Sequence, residues 1–350
     1  MVGAGVAAAL LLSGMTSASA RSDRPAAVGS DPFRGGEAYS GDFPDPTMMR
    51  VGTTFYAYST TIAALNLPAM TSTDLRHWKA RPSYDPTRPY DNDAMPSAAP
   101  WAERRSTPGG RGFSATWAPS VVRMGPGRFV SAYAVPRASD GRRCISLARA
   151  THPLGPYVDT TRRPLTCLGR NAIDPQILRD RGSVWLLYKV AGSPDRLMVR
   201  RMTASASSFG PTSRNYALLT PRARWEGATV ENPAMIRYNR RLYLFYSANA
   251  YKTARYATGY AVCRAVTGPC TRMGRLLSTG PYLAGPGGAT PFFDRAGRLR
   301  LVYHAWRTGQ VGYPTTNSCQ GTRAGCPQRR MYIAILGPGK RGELVVRRRY

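Results

Sequence analysis

One short frame recurs five times along this chain, and that recurrence restricts the fold more than any other property of the sequence. It reads DFPDPTMMRVGTTFYAYS (Asp42–Ser59), TWAPSVVRMGPGRFVSAY (Thr116–Tyr133), NAIDPQILRDRGSVWLLY (Asn171–Tyr188), VENPAMIRYNRRLYLFYS (Val230–Ser247) and GATPFFDRAGRLRLVYH (Gly288–His304). The prolines fall at Pro46, Pro119, Pro175, Pro233 and Pro291, at intervals of 73, 56, 58 and 58 residues. Ten residues beyond the first four prolines stands an aromatic, Tyr56, Phe129, Trp185 and Tyr243; the fifth unit reads as one residue shorter, with Arg300 or Leu301 there. An apolar run, a turn containing Gly or Asn, and a second apolar run predict a β-hairpin at the start of every unit.

Third strands are predicted at Arg143–Ala150, Arg196–Met202 and Tyr256–Cys263, and a fourth per unit is only faintly marked. No segment keeps an apolar spacing of 3.6, and Gly and Pro, 35 and 29 residues, interrupt the chain throughout, so the class is all-β. Five repeats of this length predict a five-bladed β-propeller. A parallel β-helix would need repeats of roughly 20–30 residues, and an irregular β-sandwich is the other alternative.

Residues 1–20 end in Ala18-Ser19-Ala20 after an apolar run and read as a signal peptide, too short for the roughly 20 apolar residues of a membrane span. Residues 21–40 read as a leader and 41–350 as one propeller domain, with long loops at Tyr84–Gly112, which holds Trp101, and at Val311–Pro327. A secreted chain with six cysteines implies disulfides, and local pairing is expected: Cys144–Cys167, Cys263–Cys270 and Cys319–Cys326. A zinc site would need CxxC or His spacings that the sequence does not contain.

The net charge of +30 comes from 45 arginines and only four lysines, spread through all five units rather than gathered into a nucleic-acid footprint. A solvated, arginine-biased surface explains it; so does attraction to an anionic polymer such as a pectic polysaccharide.

The two positions ahead of each frame proline are Pro44-Asp45, Trp117-Ala118, Ile173-Asp174, Glu231-Asn232 and Ala289-Thr290, and three of the five carry a carboxylate although Asp and Glu total 19 of 350 residues. In a propeller these positions converge on the mouth of the central channel. Converging carboxylates suit glycoside hydrolysis, in which one acid protonates the leaving oxygen, a base activates water, and a third group tunes them. Glu226, five residues before Glu231, is the rival acid. Trp117 is the candidate platform for a sugar ring, with Phe43 and Arg307 as weaker candidates for substrate contact.

FPDPT (Phe43–Thr47), TWAPSVV (Thr116–Val122), IDPQIL (Ile173–Leu178), VENPAMI with LYLFYS (Val230–Ser247) and LVYHAW (Leu301–Trp306), taken in order, resemble the blade motifs of glycoside hydrolase family 43. The resemblance covers residues 41–336. It implies a five-bladed propeller and single displacement with inversion, with Asp45 as general base, Asp174 as the group that tunes and orients the acid, and Glu231 as general acid. It also implies that His304 sits on the channel axis, associated through water with a calcium or other ion, and that no cofactor is required for the chemistry. The expected activity is release of α-L-arabinofuranosyl residues, with β-xylosides or other furanosides as the alternative; a propeller that binds sugar without cleaving it, and a fructan enzyme or phosphorylase, are the other possibilities. The partner expected is a polysaccharide or oligosaccharide, with no nucleic acid or membrane, for a secreted monomer.

Overall fold

The computed structural model describes residues 1, 37–81, 93–314 and 326–349. Residues 2–36, 82–92, 315–325 and 350, which take in the leader through residue 36, the start of the first long loop, and the middle of the second with Cys319, lie outside the described residues. Five antiparallel sheets follow one another along the chain as the blades of a β-propeller. The first blade holds β1 (Thr47–Val51), β2 (Thr54–Tyr58), β3 (Ala69–Ser72) and β4 (Lys79–Ala80). A small hairpin, β5 (Arg105–Ser106) and β6 (Gly112–Phe113), precedes the second blade of β7 (Trp117–Gly125), β8 (Arg128–Pro136) and β9 (Arg143–Ala150). The third comprises β10 (Asn171–Asp180), β11 (Ser183–Ala191), β12 (Arg196–Arg201) and β13 (Tyr216–Leu219). The fourth comprises β14 (Val230–Tyr238), β15 (Arg241–Ala248), β16 (Ala257–Cys263) and β17 (Cys270–Leu277). The fifth comprises β18 (Leu283–Phe293), β19 (Leu299–Arg307), β20 (Arg330–Pro338) and β21 (Leu344–Arg349).

Every frame has become an inner hairpin, and the three expected third strands are β9, β12 and β16. Four blades have the fourth strand; in the second, isolated bridges from Ile145 to Thr166 and from Arg149 to Val158 stand along the edge of β9 instead. Among the described residues the only helical element is one 3-10 turn, Arg224–Glu226, and no helix is long and apolar enough to cross a membrane.

The inner strands are buried on both faces, as in Leu299–Trp306, because each blade is packed between two others. The core accordingly divides into clusters at the blade boundaries. Tyr58 and Met49 meet Val121 and Phe129 between the first and second blades, while Val130 and Ile145 meet Ile177 and Leu186 between the second and third. Leu178 and Leu187 meet Met235 and Leu244 between the third and fourth, and Tyr243 and Phe245 meet Leu301 and Tyr303 between the fourth and fifth. Phe43, Met48 and Phe55 then close the ring against Phe292, Val302 and Ile333 of the fifth blade. Two of the expected disulfides are formed, Cys144–Cys167 and Cys263–Cys270, the latter joining directly opposed residues of β16 and β17. Cys326 is also disulfide-bonded.

Four of the inner hairpins are interrupted where they reach the channel mouth. In β10 the pairing jumps from Ile173↔Lys189 to Gln176↔Leu187, in β14 from Glu231↔Ser247 to Ala234↔Phe245, in β7 from Trp117↔Ala134 to Ser120↔Ala132, and in β18 from Gly287↔His304 to Thr290↔Val302. The residue at this place has a left-handed backbone in all five blades: Asp45 at φ 50°, Ala118 at 44°, Asp174 at 55°, Asn232 at 49° and Gly288 at 59°. Asp, Asn and Gly are the residues that tolerate this conformation best, so four of the five positions hold residue types that the backbone favours.

This register corrects one sequence reading. In the fifth blade the bulge falls at Gly288-Ala289, so Pro291 lies two residues beyond the position of the other prolines, while Arg300, paired with Phe292, stands where Trp185 and Tyr243 do, as one of the two residues read there from the sequence. Asn232 is the counterpart of Asp45 and Asp174, and Glu231 occupies the preceding position, shared with Trp117 and Ile173, as the paired positions ahead of the prolines imply.

Candidate active site

A bulge removes backbone groups from the strand ladder, and here the neighbouring blade supplies their partners. Thr60 Oγ1 accepts from the Ala118 N–H at 2.8 Å, Asp174 Oδ2 from Asn232 at 2.9 Å, Ser247 Oγ from Gly288 at 2.9 Å, and His304 Nδ1 from Asp45 at 3.0 Å. These bonds run from one blade to the next and cross the seam between the fifth and the first. They hold the bulges in a ring, with Asp45 and Asp174 both bordering a narrow axial space of about 30 Å³, close to the size of one water.

Above that ring opens a cleft of about 390 Å³, within the usual range of ligand pockets. It is lined by Asp45, Asp174 and Glu231, by Asp42, Tyr251, Tyr256, Tyr313 and Arg329, and by Trp117, which is 39% exposed. The three carboxylates singled out in the sequence are therefore gathered in one cleft, with Trp117 at its border. The guanidinium of Arg143 lies 3.1 Å from the Trp117 ring centre, so one face of the indole is already covered.

Asp45 accepts a hydrogen bond from Thr60 Oγ1 at 2.7 Å and two long ones from Arg329 Nη1 at 3.4 Å. Burial acts to raise its pKa, but Arg329, together with His304 and Thr60, outweighs burial and keeps the carboxyl below its ordinary value. Arg329 comes from the entry to β20, where Phe43 N–H donates to its carbonyl and its own N–H donates to Asp42. Its side chain lies between Tyr251 and Tyr313, 4.9 and 5.4 Å from their ring centres. Asp42 also accepts from the Tyr313 hydroxyl at 2.9 Å; burial carries its pKa upward against the pull of Arg329.

Asp174 is in the opposite condition. Burial first, then the negative charge of Glu231, raise its pKa well above the carboxylate range, and Lys189 offsets this only in part. Glu231 Oε2 accepts from Lys189 Nζ at 3.0 Å, while the Tyr256 hydroxyl lies 2.7 Å from Glu231 Oε1 and 2.6 Å from Asn232 Oδ1. Lys189 is shared with Asp195 at 2.9 Å, and these acids keep it charged despite its burial. Tyr256 stacks on His304 with ring centres 5.9 Å apart and planes inclined by 11°. A side chain at Gly287 would collide with Tyr256, which explains the glycine there.

The remaining sequence candidates are placed elsewhere. Phe43, 1% exposed, is a core residue packed edge-on against Tyr39 and does not border the cleft. Arg307 pairs with Glu37 at 2.6 Å and likewise stands outside it. Glu226 is fully buried, accepting from Tyr246 at 2.7 Å and Arg272 at 2.9 Å and from the N–H groups of Arg222 and Ala223; it braces the 3-10 turn.

His304 is fully buried behind Asp45, and burial lowers its pKa to about 3, so it is neutral. Since Nδ1 accepts the Asp45 N–H, the proton resides on Nε2, which has no partner among the described residues. A protonated nitrogen cannot ligate a cation directly. Among the described residues no group of three or more His, Cys, Asp or Glu is arranged to hold a metal, so His304 fits water-mediated contact with an ion and nothing closer.

Lys189, Tyr256 and Arg329 were not singled out in the sequence. Lys189 left a trace there, being one of four lysines and lying inside the apolar run VWLLYKVA; Tyr256 and Arg329, each one residue ahead of the third strand of another blade, left none.

Carboxylates held at opposite ends of their titration range in a cleft walled by aromatic side chains are the equipment of a glycoside hydrolase. The pattern of Glycosyl hydrolases family 43 matches residues 38–329, and the chain belongs to that family. It is 24% identical over 173 residues to an extracellular endo-α-(1→5)-L-arabinanase of Thermotoga petrophila, a match that takes in 41% of this chain and 33%, about one third, of that relative. Its fold is similar to that of a thermostable family-43 glycoside hydrolase, with TM-score 0.67, 23% identity, and 88% of this chain and 93% of the other covered. It is similar also to an endo-1,4-β-xylanase from Bacteroides thetaiotaomicron, with TM-score 0.65, 22% identity, and 89% and 98% covered.

Proposed function

We propose that this hydrolase cleaves α-L-arabinofuranosyl linkages with inversion. Asp45 removes a proton from water as the water attacks the anomeric carbon, Glu231 gives its proton to the departing oxygen, and Asp174 positions and tunes Glu231. The observation that carries this reading is the gathering of Asp45, Asp174 and Glu231 in one cleft, Asp45 beside Arg329 and Glu231 bonded by Lys189 and Tyr256. Asp174 also joins the acid to its blade by accepting the N–H of Asn232, the residue next to Glu231. Tyr251, Tyr313 and the free part of Trp117 give apolar faces on which a sugar ring can stack. Likeness to an arabinanase favours arabinofuranosides, and likeness to a xylanase favours β-xylosides as the second reading.

The protein is read as a secreted monomer of one propeller domain over residues 41–350, acting on polysaccharide or oligosaccharide and not on nucleic acid or membranes. His304 would touch a channel calcium or other ion only through water, and no proton transfer depends on that ion. The test is digestion of arabinan, arabinoxylan, xylo-oligosaccharides and galactofuranosides, with proton NMR of the first-formed anomer. Arabinose or arabino-oligosaccharides of inverted configuration are expected; retention of configuration contradicts the mechanism, and release of xylose alone selects the second reading.

A further inference from the structure

The end of the propeller remote from the cleft carries a second groove that no step of the hydrolysis uses. Asp174 marks the mouth end of β10, so the turn after Asp180 lies at the other end, where Trp185 of β11 pairs with Arg201 of β12. There Trp185, Arg201, Arg214 and Tyr216 border a depression of about 680 Å³ in the third blade. A neighbouring depression of about 820 Å³ in the second blade is bordered by Arg128 and Arg149, and Ala204 lies in both. No carboxylate borders either one. All four arginines are exposed, and among the described residues none has an acidic side chain within ion-pair distance. Arg214 instead lies 5.1 Å from the Tyr216 ring centre and donates to its hydroxyl at 3.0 Å.

We infer that this groove binds an acidic polysaccharide, a polyuronate chain, and keeps the enzyme on its matrix while the cleft at the other end works. Guanidinium forks match carboxylates in a bidentate manner, and half-buried Trp185 and Tyr216 offer the flat apolar faces that sugar rings require. Two adjoining depressions with two arginines each suit a polymer with repeated carboxylates better than a single small anion. Arg201 and Arg214 border the depression that holds Trp185 and Tyr216, and Arg128 and Arg149 continue the unopposed charge into the next.

The probe is a set of oligogalacturonates titrated calorimetrically into the full chain at roughly 0.15 M salt, where loosely held surface charge is screened over about 8 Å. The double variant Arg201→Gln/Arg214→Gln is expected to weaken binding about tenfold, an effect of the size of losing two charge-assisted contacts. Arg50→Gln/Arg295→Gln, which removes the same charge from exposed positions in the first and fifth blades, leaves binding essentially unchanged. Both variants keep wild-type turnover of an aryl arabinofuranoside, which establishes that they fold and separates this inference from the hydrolytic reading. Equal loss in the two double variants would overturn the inference by assigning binding to bulk charge. Absence of binding, or equally tight binding of a single-stranded oligonucleotide through Arg201 and Arg214, would overturn it as well.

Discussion

His304 Nδ1 accepts the backbone N–H of Asp45 at 3.0 Å, so the last blade fixes the bulge that presents the first carboxylate of the cleft. The bond joins residues 259 positions apart and spans the seam at which the propeller closes. Asp45 is thereby held from two sides, by His304 at its backbone and by Thr60 and Arg329 at its carboxylate.

His304→Ala leaves the Asp45 N–H unpaired and removes the ring on which Tyr256 stacks. An unsatisfied buried donor costs about 1–3 kcal/mol, and the cavity adds to that. Urea unfolding is expected to show a loss of about 3 kcal/mol or more, with kcat reduced because Asp45 and Tyr256 are both released.

The same histidine makes stability depend on pH. Its folded pKa of about 3 lies below the ordinary 6.5, so between those values the unfolded chain binds the extra proton. Its contribution is fully present above pH 6.5 and is lost as pH falls through the folded value. His304→Gln, which cannot titrate, is expected to lose less stability than the wild type between pH 7 and pH 4; parallel losses in urea titrations would contradict this.

Asp174 has the opposite sign. Its folded pKa is raised, so the wild type is most favoured at low pH and loses that advantage as pH rises from the ordinary carboxylate value through the folded one. Asp174→Asn keeps an acceptor for the Asn232 N–H and removes the buried charge. It is expected to unfold at a higher temperature than the wild type at pH 8, with the gap closing toward pH 4, while kcat falls at least tenfold. A variant less stable than the wild type at pH 8 would show that this charge is well compensated.

Lys189 is shared by Asp195 and Glu231 at 2.9 and 3.0 Å. Lys189→Met strands two acids in a buried setting, and breaking such a pair costs about 3–5 kcal/mol. The loss measured by urea unfolding is expected to be larger at pH 7 than at pH 4, where the acids can take up protons.

The frame made the architecture legible because each inner hairpin is a local structure with its own turn, and its repetition announces the blades. The bulge was not legible. A one-residue shift in pairing leaves the apolar pattern of the frame intact, so the spacing alone aligns Pro291 with Pro233 although Ala289 is the true counterpart. The three carboxylates were found because they sit within the frame. Arg329, Tyr256 and Lys189 were missed because they reach the cleft from the residues just ahead of β20 and β16 and from β11, brought there by ring closure and by packing between blades. Phe43 and Arg307 show the reverse error: both stand beside legible motifs, yet one faces the core and the other pairs with Glu37.

The division of labour between Glu231 and Asp45 is tested most directly by leaving-group dependence. Glu231→Gln should cut kcat/KM on 4-nitrophenyl α-L-arabinofuranoside by about 10²–10⁴, the usual worth of general acid catalysis. It should retain most of its activity on the 2,4-dinitrophenyl glycoside, whose departing oxygen needs no proton, whereas Asp45→Asn should be impaired on both. Equal loss of Glu231→Gln on the two substrates, or recovery of Asp45→Asn on the activated one, would contradict the assignment of acid and base.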